Sequence, residues 1–226
     1  MHRNTWNYGV RSAVGTGEGR TVGTSVTVIV PTFNERENVA ELVARTAVAL
    51  AGYDAEILFV DDSTDSTAAE VERVAADAPL PVRVIHRTDN TGGLGGAVAV
   101  GLEAAASDLC IVMDGDLQHP PELLPALVRR HDEGDADVVA ASRYIGGGDM
   151  SGLGTAVRFG VSRSATWLTR AMFPIRLARS TDPMTGFFLV DRSRLDLSAL
   201  RPQGFKILLE ILARTDLRIA EVPMEF

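Results

Sequence analysis

Asp114-Gly115-Asp116 directly follows the apolar run Leu109–Met113. In an extended backbone, residues i and i+2 project to the same side, so this spacing predicts two carboxylates facing one hard cation, Mg2+ or Mn2+. A cation held in this way bridges to a diphosphate and neutralises charge as a sugar leaves it. Gln118 adds an oxygen donor two residues on, in the same alternating register. Taken alone, a DxD fits a polar turn at the end of a strand at least as well. Asp61-Asp62-Ser63 closes another apolar run. Adjacent carboxylates there accept hydrogen bonds from a base or a ribose, or else form an Asx-type turn and helix cap over Ser63–Ser66. In Pro31-Thr32-Phe33-Asn34-Glu35, a strand stop and a helix cap account for Pro31 and Asn34 and leave Glu35 without a role.

The cluster Gly92-Gly93-Leu94-Gly95-Gly96 is not a Walker loop, since no GK[ST] is present. Nor is it a dinucleotide fingerprint, which belongs after the first strand rather than the third. Close packing of a helix start against a sheet explains most of it, and Gly93 leaves room for a donor phosphate at a helix N-terminus. Ser142-Arg143-Tyr144 ends a further apolar run. Residues 151–180 carry Arg158, Arg163, Arg170, Arg176 and Arg179 with no Asp or Glu, and Arg158 lies four residues before Ser162. Guanidinium groups grip phosphate oxygens in pairs, and the lack of nearby acids favours that role over a solvated helix face. The four histidines lack metal-ligand spacing, and His119, before a proline, reads as a structural loop residue.

Each of these clusters must be positioned by the element before it. Val26–Pro31, Ile57–Asp61, Val82–His86, Leu109–Met113 and Val138–Ala141 are predominantly apolar runs without strict polar alternation, separated by helical patterns. Such runs predict a mostly parallel sheet of Rossmann-like α/β type, covered by helices on both faces. Ligands of such sheets bind beyond the carboxyl ends of the strands, where the clusters fall. Asn34-Glu35-Arg36-Glu37 predicts an N-cap and capping box for a helix running to about Leu50, and Thr67 opens the next helix. Pro120-Pro121-Glu122 suits the first turn of a helix to about His131. Gly146–Gly148 reads as a loop, 151–180 as a basic amphipathic helix, and the final third as strand, helix, strand. Residues 1–24 read as a flexible arm, and 25–226 as one domain.

The chain has 226 residues, 46% apolar, with 30 acidic against 22 basic residues and a net charge of −8. The acidic excess argues against nucleic acid as a partner. Cys110 is the single cysteine, which fits a reducing compartment. No run approaches the length of a bilayer span, and the first 25 residues lack a secretory apolar region.

Read in order, PTFNE (31–35), VDDSTD (60–65), GGLG (92–95), MDGDLQHPPE (113–122), SRY (142–144), TGFF (185–188) and GFKILLE (204–210) resemble the inverting glycosyltransferases of family 2. The likeness runs from about residue 26 to the C-terminus, and it is greatest to the branch of dolichyl- or polyprenyl-phosphate mannose synthases. The resemblance implies a GT-A fold, a nucleotide-sugar donor (GDP-mannose first), Mg2+ or Mn2+, and a polyprenyl phosphate acceptor met by peripheral contact with the inner face of the cell membrane, from the cytoplasm. It implies that Pro31, Phe33, Glu35, Asp61 and Asp62 hold the nucleoside. Asp114, Asp116 and Gln118 would handle metal and diphosphate, and Arg143, Arg158 and Ser162 the acceptor phosphate. Asp116 and Arg143 are the implied catalytic pair.

Phe33 stands where the family has tyrosine, Gly115 where it has alanine, and the sequence stops before an Arg-, Gly-, Ser- and Lys-containing stretch. The expectation is therefore a C-terminally short catalytic domain. A phosphate acceptor, with a second pKa of about 6, needs no strong general base. The alternatives are a UDP-glucose or UDP-N-acetylhexosamine donor to the same lipid class, and a truncated sugar-nucleotide-binding module without transferase activity. Nucleotidyl transfer would want a basic, glycine-rich loop where this chain has PTFNE.

Overall fold

A computed structural model describes residues 24–145, 180–202, 204 and 206–224. The five expected apolar runs are strands: β1 (Ser25–Thr32), β2 (Asp54–Asp61), β3 (Val82–His86), β4 (Leu109–Val112) and β5 (Val138–Ser142). β6 (Phe188–Asp191) and β7 (Ile219–Pro223) complete a seven-stranded sheet in the order β3-β2-β1-β4-β6-β5-β7. All neighbours pair in parallel except β6, which runs against both β4 and β5. The mostly parallel sheet is thus as expected.

Successive residues of a strand face opposite sides, and both sides are packed. Val28, Val30, Ile57, Phe59 and Ile111 meet α1 (Val39–Ala49), α2 (Thr67–Ala75) and α4 (Leu124–Asp132) through Leu42, Val71 and Leu127. Ile29, Leu58, Val60, Cys110 and Val112 meet α3 (Gly93–Ala104) and α5 (Ile207–Arg214) through Val98, Leu102 and Ile211. Burial on both faces is why these strands carry no polar alternation. The glycines of α3 let it lie close: a Cβ on Gly101 would overlap the side chain of Ile29, and one on Gly96 the carbonyl of Thr91.

β1 feeds β2 and β3 on one side, and the chain then crosses to β4 on the other. The crevice between the β1 and β4 ends is therefore the switch point of the sheet, where ligands of such folds bind.

Two local expectations are corrected. The capping box at 34–37 does not form: Asn34 takes φ 58°, residues Arg36–Asn38 make a 3-10 turn, and α1 starts only at Val39 without a side-chain cap. Asn34 tolerates that left-handed backbone, and its Oδ1 accepts from the N–H groups of Thr64 (3.0 Å) and Asp65 (3.3 Å). The residue is spent on joining two loops. Second, extended backbone stops at Val112, so Asp114 and Asp116 sit on a turn completed by Leu117 at φ 63° rather than in strand register. Of the expected arm at 1–24 all but residue 24, the expected loop at 146–148, and of the basic segment 151–180 all but Ser180, lie outside the described residues.

Candidate active site

The carboxyl ends of β1, β2 and β4, with the start of α3, enclose a cavity of about 410 Å3. Its walls include Pro31, Phe33 and Glu35 after β1, Asp62 after β2, Gly93 on α3, and Asp114 and Asp116 after β4. Seven residues singled out from the sequence thus share one space. Thr32, Asn90, Leu94 and Ala97 complete it without having been anticipated, since nothing in their types advertises a ligand. Phe33 is 59% exposed at the wall, a flat apolar face in a cleft that also holds four acids.

Asp61 and Asp62 part company. Asp61 is fully buried, taking hydrogen bonds from Thr32 Oγ1 (2.8 Å) and Ser63 Oγ (2.5 Å) on Oδ1 and pairing with His86 Nδ1 (2.7 Å) on Oδ2. It ties β1, β2 and β3 together and does not line the cavity. Asp62 faces the cavity and is held by Arg87, whose Nε and Nη2 lie 2.7 and 2.5 Å from its two oxygens. Arg87 also donates to the carbonyls of Thr91 (3.2 Å) and Gly93 (3.0 Å), so one guanidinium joins two walls. Arg87 was missed from the sequence, although its place just after β3 is the same strand-end signal.

The turn after β4 is held from behind. His119 is buried, stacks on Phe187 with ring centroids 5.1 Å apart, and accepts the Asp114 N–H on Nδ1 at 3.0 Å. Burial pushes the imidazole pKa down, against the pull of the Asp114 and Asp116 charges. The neutral ring carrying its proton on Nε2 is the form that accepts this bond. The structural reading of His119 therefore fits, with the addition that the residue it steadies is Asp114. Asp116 Oδ1 accepts the Gln118 N–H at 3.0 Å, and Gln118 is not among the cavity walls.

Burial, and then the Asp116 charge, raise the pKa of Asp114. Glu35 is raised to about 7, by burial first and then by the charges of Asp116, Asp114 and Asp61. Its Oε2 is buried with no hydrogen-bond partner, and it occupies the space that a Cβ on residue 115 would take. Among the described residues, no group of three or more His, Cys, Asp or Glu forms a cation cage by itself. Two crowded carboxylates with a buried, unpartnered acid oxygen nearby do fit a Mg2+-like ion, which commonly binds through one or two carboxylates plus substrate phosphates.

Arg143, after β5, is not a cavity wall; its Nε donates to Asp182 Oδ2 at 3.1 Å. Arg158 and Ser162 lie outside the described residues.

The family model described as Glycosyl transferase family 2 matches residues 27–197. A dolichol-phosphate mannosyltransferase of Pyrococcus furiosus is 39% identical over 89% of the chain, which spans 56% of that relative. A protein of the same name from Saccharomyces cerevisiae is 34% identical over 88% of the chain and 76% of its own length. Among solved structures, glucosyl-3-phosphoglycerate synthase of Mycobacterium tuberculosis, in complex with Mn2+, UDP-glucose and phosphoglyceric acid, superposes with a TM-score of 0.66. It is 21% identical, covering 91% of this chain and 71% of that one.

Proposed function

The chain belongs to glycosyl transferase family 2, and from that premise we propose that it transfers a hexose from a nucleotide sugar to a polyprenyl phosphate, with mannose from GDP-mannose as the first candidate. The observation that carries the reading is the meeting of Glu35, Asp62, Asp114 and Asp116 in one cleft at the switch point of the sheet. An acidic cleft of this kind suits a diphosphate that arrives with a divalent cation. The curated relatives named for dolichol-phosphate mannosyl transfer support the acceptor class.

In this reading the nucleoside lies against Pro31, Phe33, Glu35 and Asp62, with the diphosphate toward Gly93 and the Asp114–Asp116 turn. Asp114 and Asp116 would hold Mg2+ or Mn2+, which when bound offsets the charge of the departing diphosphate. Arg143 grips the acceptor phosphate, aided by Arg158 and Ser162. That phosphate is largely ionised near neutral pH, so it attacks the anomeric carbon without a general base and inverts it. What the protein contributes is alignment of the two substrates for in-line attack. Among the described residues no helix is long and apolar enough to cross a membrane. In the same reading the basic segment at 151–180 meets the anionic lipid surface peripherally, at the inner face of the cell membrane.

Thermal-shift measurements with GDP-, UDP- and dTDP-sugars and Mn2+ identify the donor, with the largest stabilisation expected from GDP-mannose. Asp116→Ala is expected to abolish transfer to polyprenyl phosphate while the far-UV spectrum is kept. Turnover unchanged and independent of metal in that variant removes the carboxylates from the reaction.

A further inference from the structure

Asp182 is 2% exposed, and a carboxylate so far from water needs an opposite charge. Arg143 supplies it through Nε, the nitrogen at the root of the guanidinium, while its side chain stays 44% exposed. Among the described residues nothing is bonded to its two terminal nitrogens, which leaves the fork that grips phosphate oxygens open.

The acid behind this arginine is itself held in place. Glu221 of β7 accepts hydrogen bonds from the N–H groups of Thr181 (2.5 Å) and Asp182 (3.2 Å) and from the hydroxyls of Ser180 (3.0 Å) and Thr181 (2.6 Å). The Thr181 hydroxyl also meets Ser142 Oγ at 2.5 Å, and Ser142 Oγ accepts the Tyr144 N–H at 3.2 Å. The backbone around Arg143 and the backbone under Asp182 are thus tied to one another and to β7. The turn that Asp182 opens, closed by the Thr185 N–H on its carbonyl at 3.2 Å, leads straight to Gly186, where a Cβ would lie 3.1 Å from Asp114 Oδ2 and 3.3 Å from His119 Cε1. The pair therefore stands beside the acidic end of the cleft.

We propose that Asp182, clamped by Glu221, is a positioning residue that aims the open fork of Arg143 at a phosphate monoester presented beside the cleft. The inference rests on the lipid-phosphate reading above and adds the residues that set the aim. Without Asp182 the guanidinium keeps its charge and loses its direction, so affinity for the phosphate falls while the nucleotide side of the cleft is untouched.

Calorimetric titration of the full chain tests this, with citronellyl phosphate as one probe and GDP or UDP plus Mn2+ as the other. Asp182→Ala is expected to weaken citronellyl phosphate about tenfold or more, the scale of a lost charge-assisted contact. Asp182→Asn, which keeps an acceptor oxygen, is expected to lose less, and nucleotide affinity to stay within error in both. Should Asp182→Ala not fold, Glu221→Gln carries the same expectation, because it loosens residues 180–182 and leaves the Asp182–Arg143 pair present. Equal losses for both probes reduce Asp182 to a structural residue, and unchanged citronellyl phosphate affinity overturns the proposal outright. A native chain that binds nucleotide but no citronellyl phosphate also overturns it. A native chain that binds neither takes the proposed function down with it.

Discussion

Glu35 carries the largest conflict of any single residue in the cleft. Burial first, and then the charges of Asp116, Asp114 and Asp61, raise its pKa from 4.5 to about 7, and one buried oxygen has no partner. A raised carboxyl pKa means that the folded chain keeps a proton which the unfolded chain has already released. Stability from this group is complete below the unfolded value and is lost as pH climbs through the folded one. Glu35→Gln, neutral throughout, should therefore gain in Tm over the parent between about pH 5 and about pH 8 in metal-free buffer. Parallel Tm curves would show that no charge is stressed there. Gly115 sets the confinement, since a Cβ on it would overlap Glu35 Oε2 and come within 3.0 Å of Thr32 Cγ2. The far end of a glutamate gives way more easily than backbone, so Gly115→Ala should turn the carboxyl outward and flatten the parent's fall in Tm with pH. An unaltered pH profile in that variant would mean that something other than this contact confines Glu35.

At the scale of elements, α3 is the piece whose sequence and packing explain each other most directly. Its glycines lower helix propensity, yet Gly101 faces Ile29 and Val60, both fully buried, so an added methyl has nowhere to go. Alanine gains about 1 kcal/mol of helix propensity, against about 1–3 kcal/mol for overpacking a filled core. Gly101→Ala is expected to lower the urea midpoint, and a raised midpoint would show that β1 and β2 yield. The glycine cluster was legible as packing because runs of small residues at a helix start have few other uses. The capping box at 34–37 was misleading for a tertiary reason: Ser63, Thr64 and Asp65 lie across the loop from Asn34 and bond to it. Similarly, strand register failed to predict the turn at Asp114–Asp116, because extended backbone ended one residue short of Met113.

For the molecule as a whole, Cys110 on the central strand of the sheet reports on whether the sheet opens as one unit. The thiol is on β4 between β1 and β6, wholly buried, with its pKa pushed up to about 12 by burial. It should react with Ellman's reagent only as fast as the whole chain unfolds, so labelling in urea should follow the circular-dichroism transition. Fast labelling without denaturant would instead mean that β4 opens locally. The strands, their burial on both faces and the acids at their carboxyl ends were all readable from the chain, because apolar runs and turn residues are local properties. Which acids share a cavity was not. Asp61 and Asp62 are neighbours and so project to opposite sides, but only the packed sheet decides that Asp62 meets the cleft while Asp61 is buried among Thr32, Ser63 and His86. Asp182 is an ordinary residue in the sequence, and Arg87 is marked there only by its place after β3. Their partners, Asp62 and Arg143, come from distant parts of the chain, and strand order rather than spacing brings them within hydrogen-bonding reach.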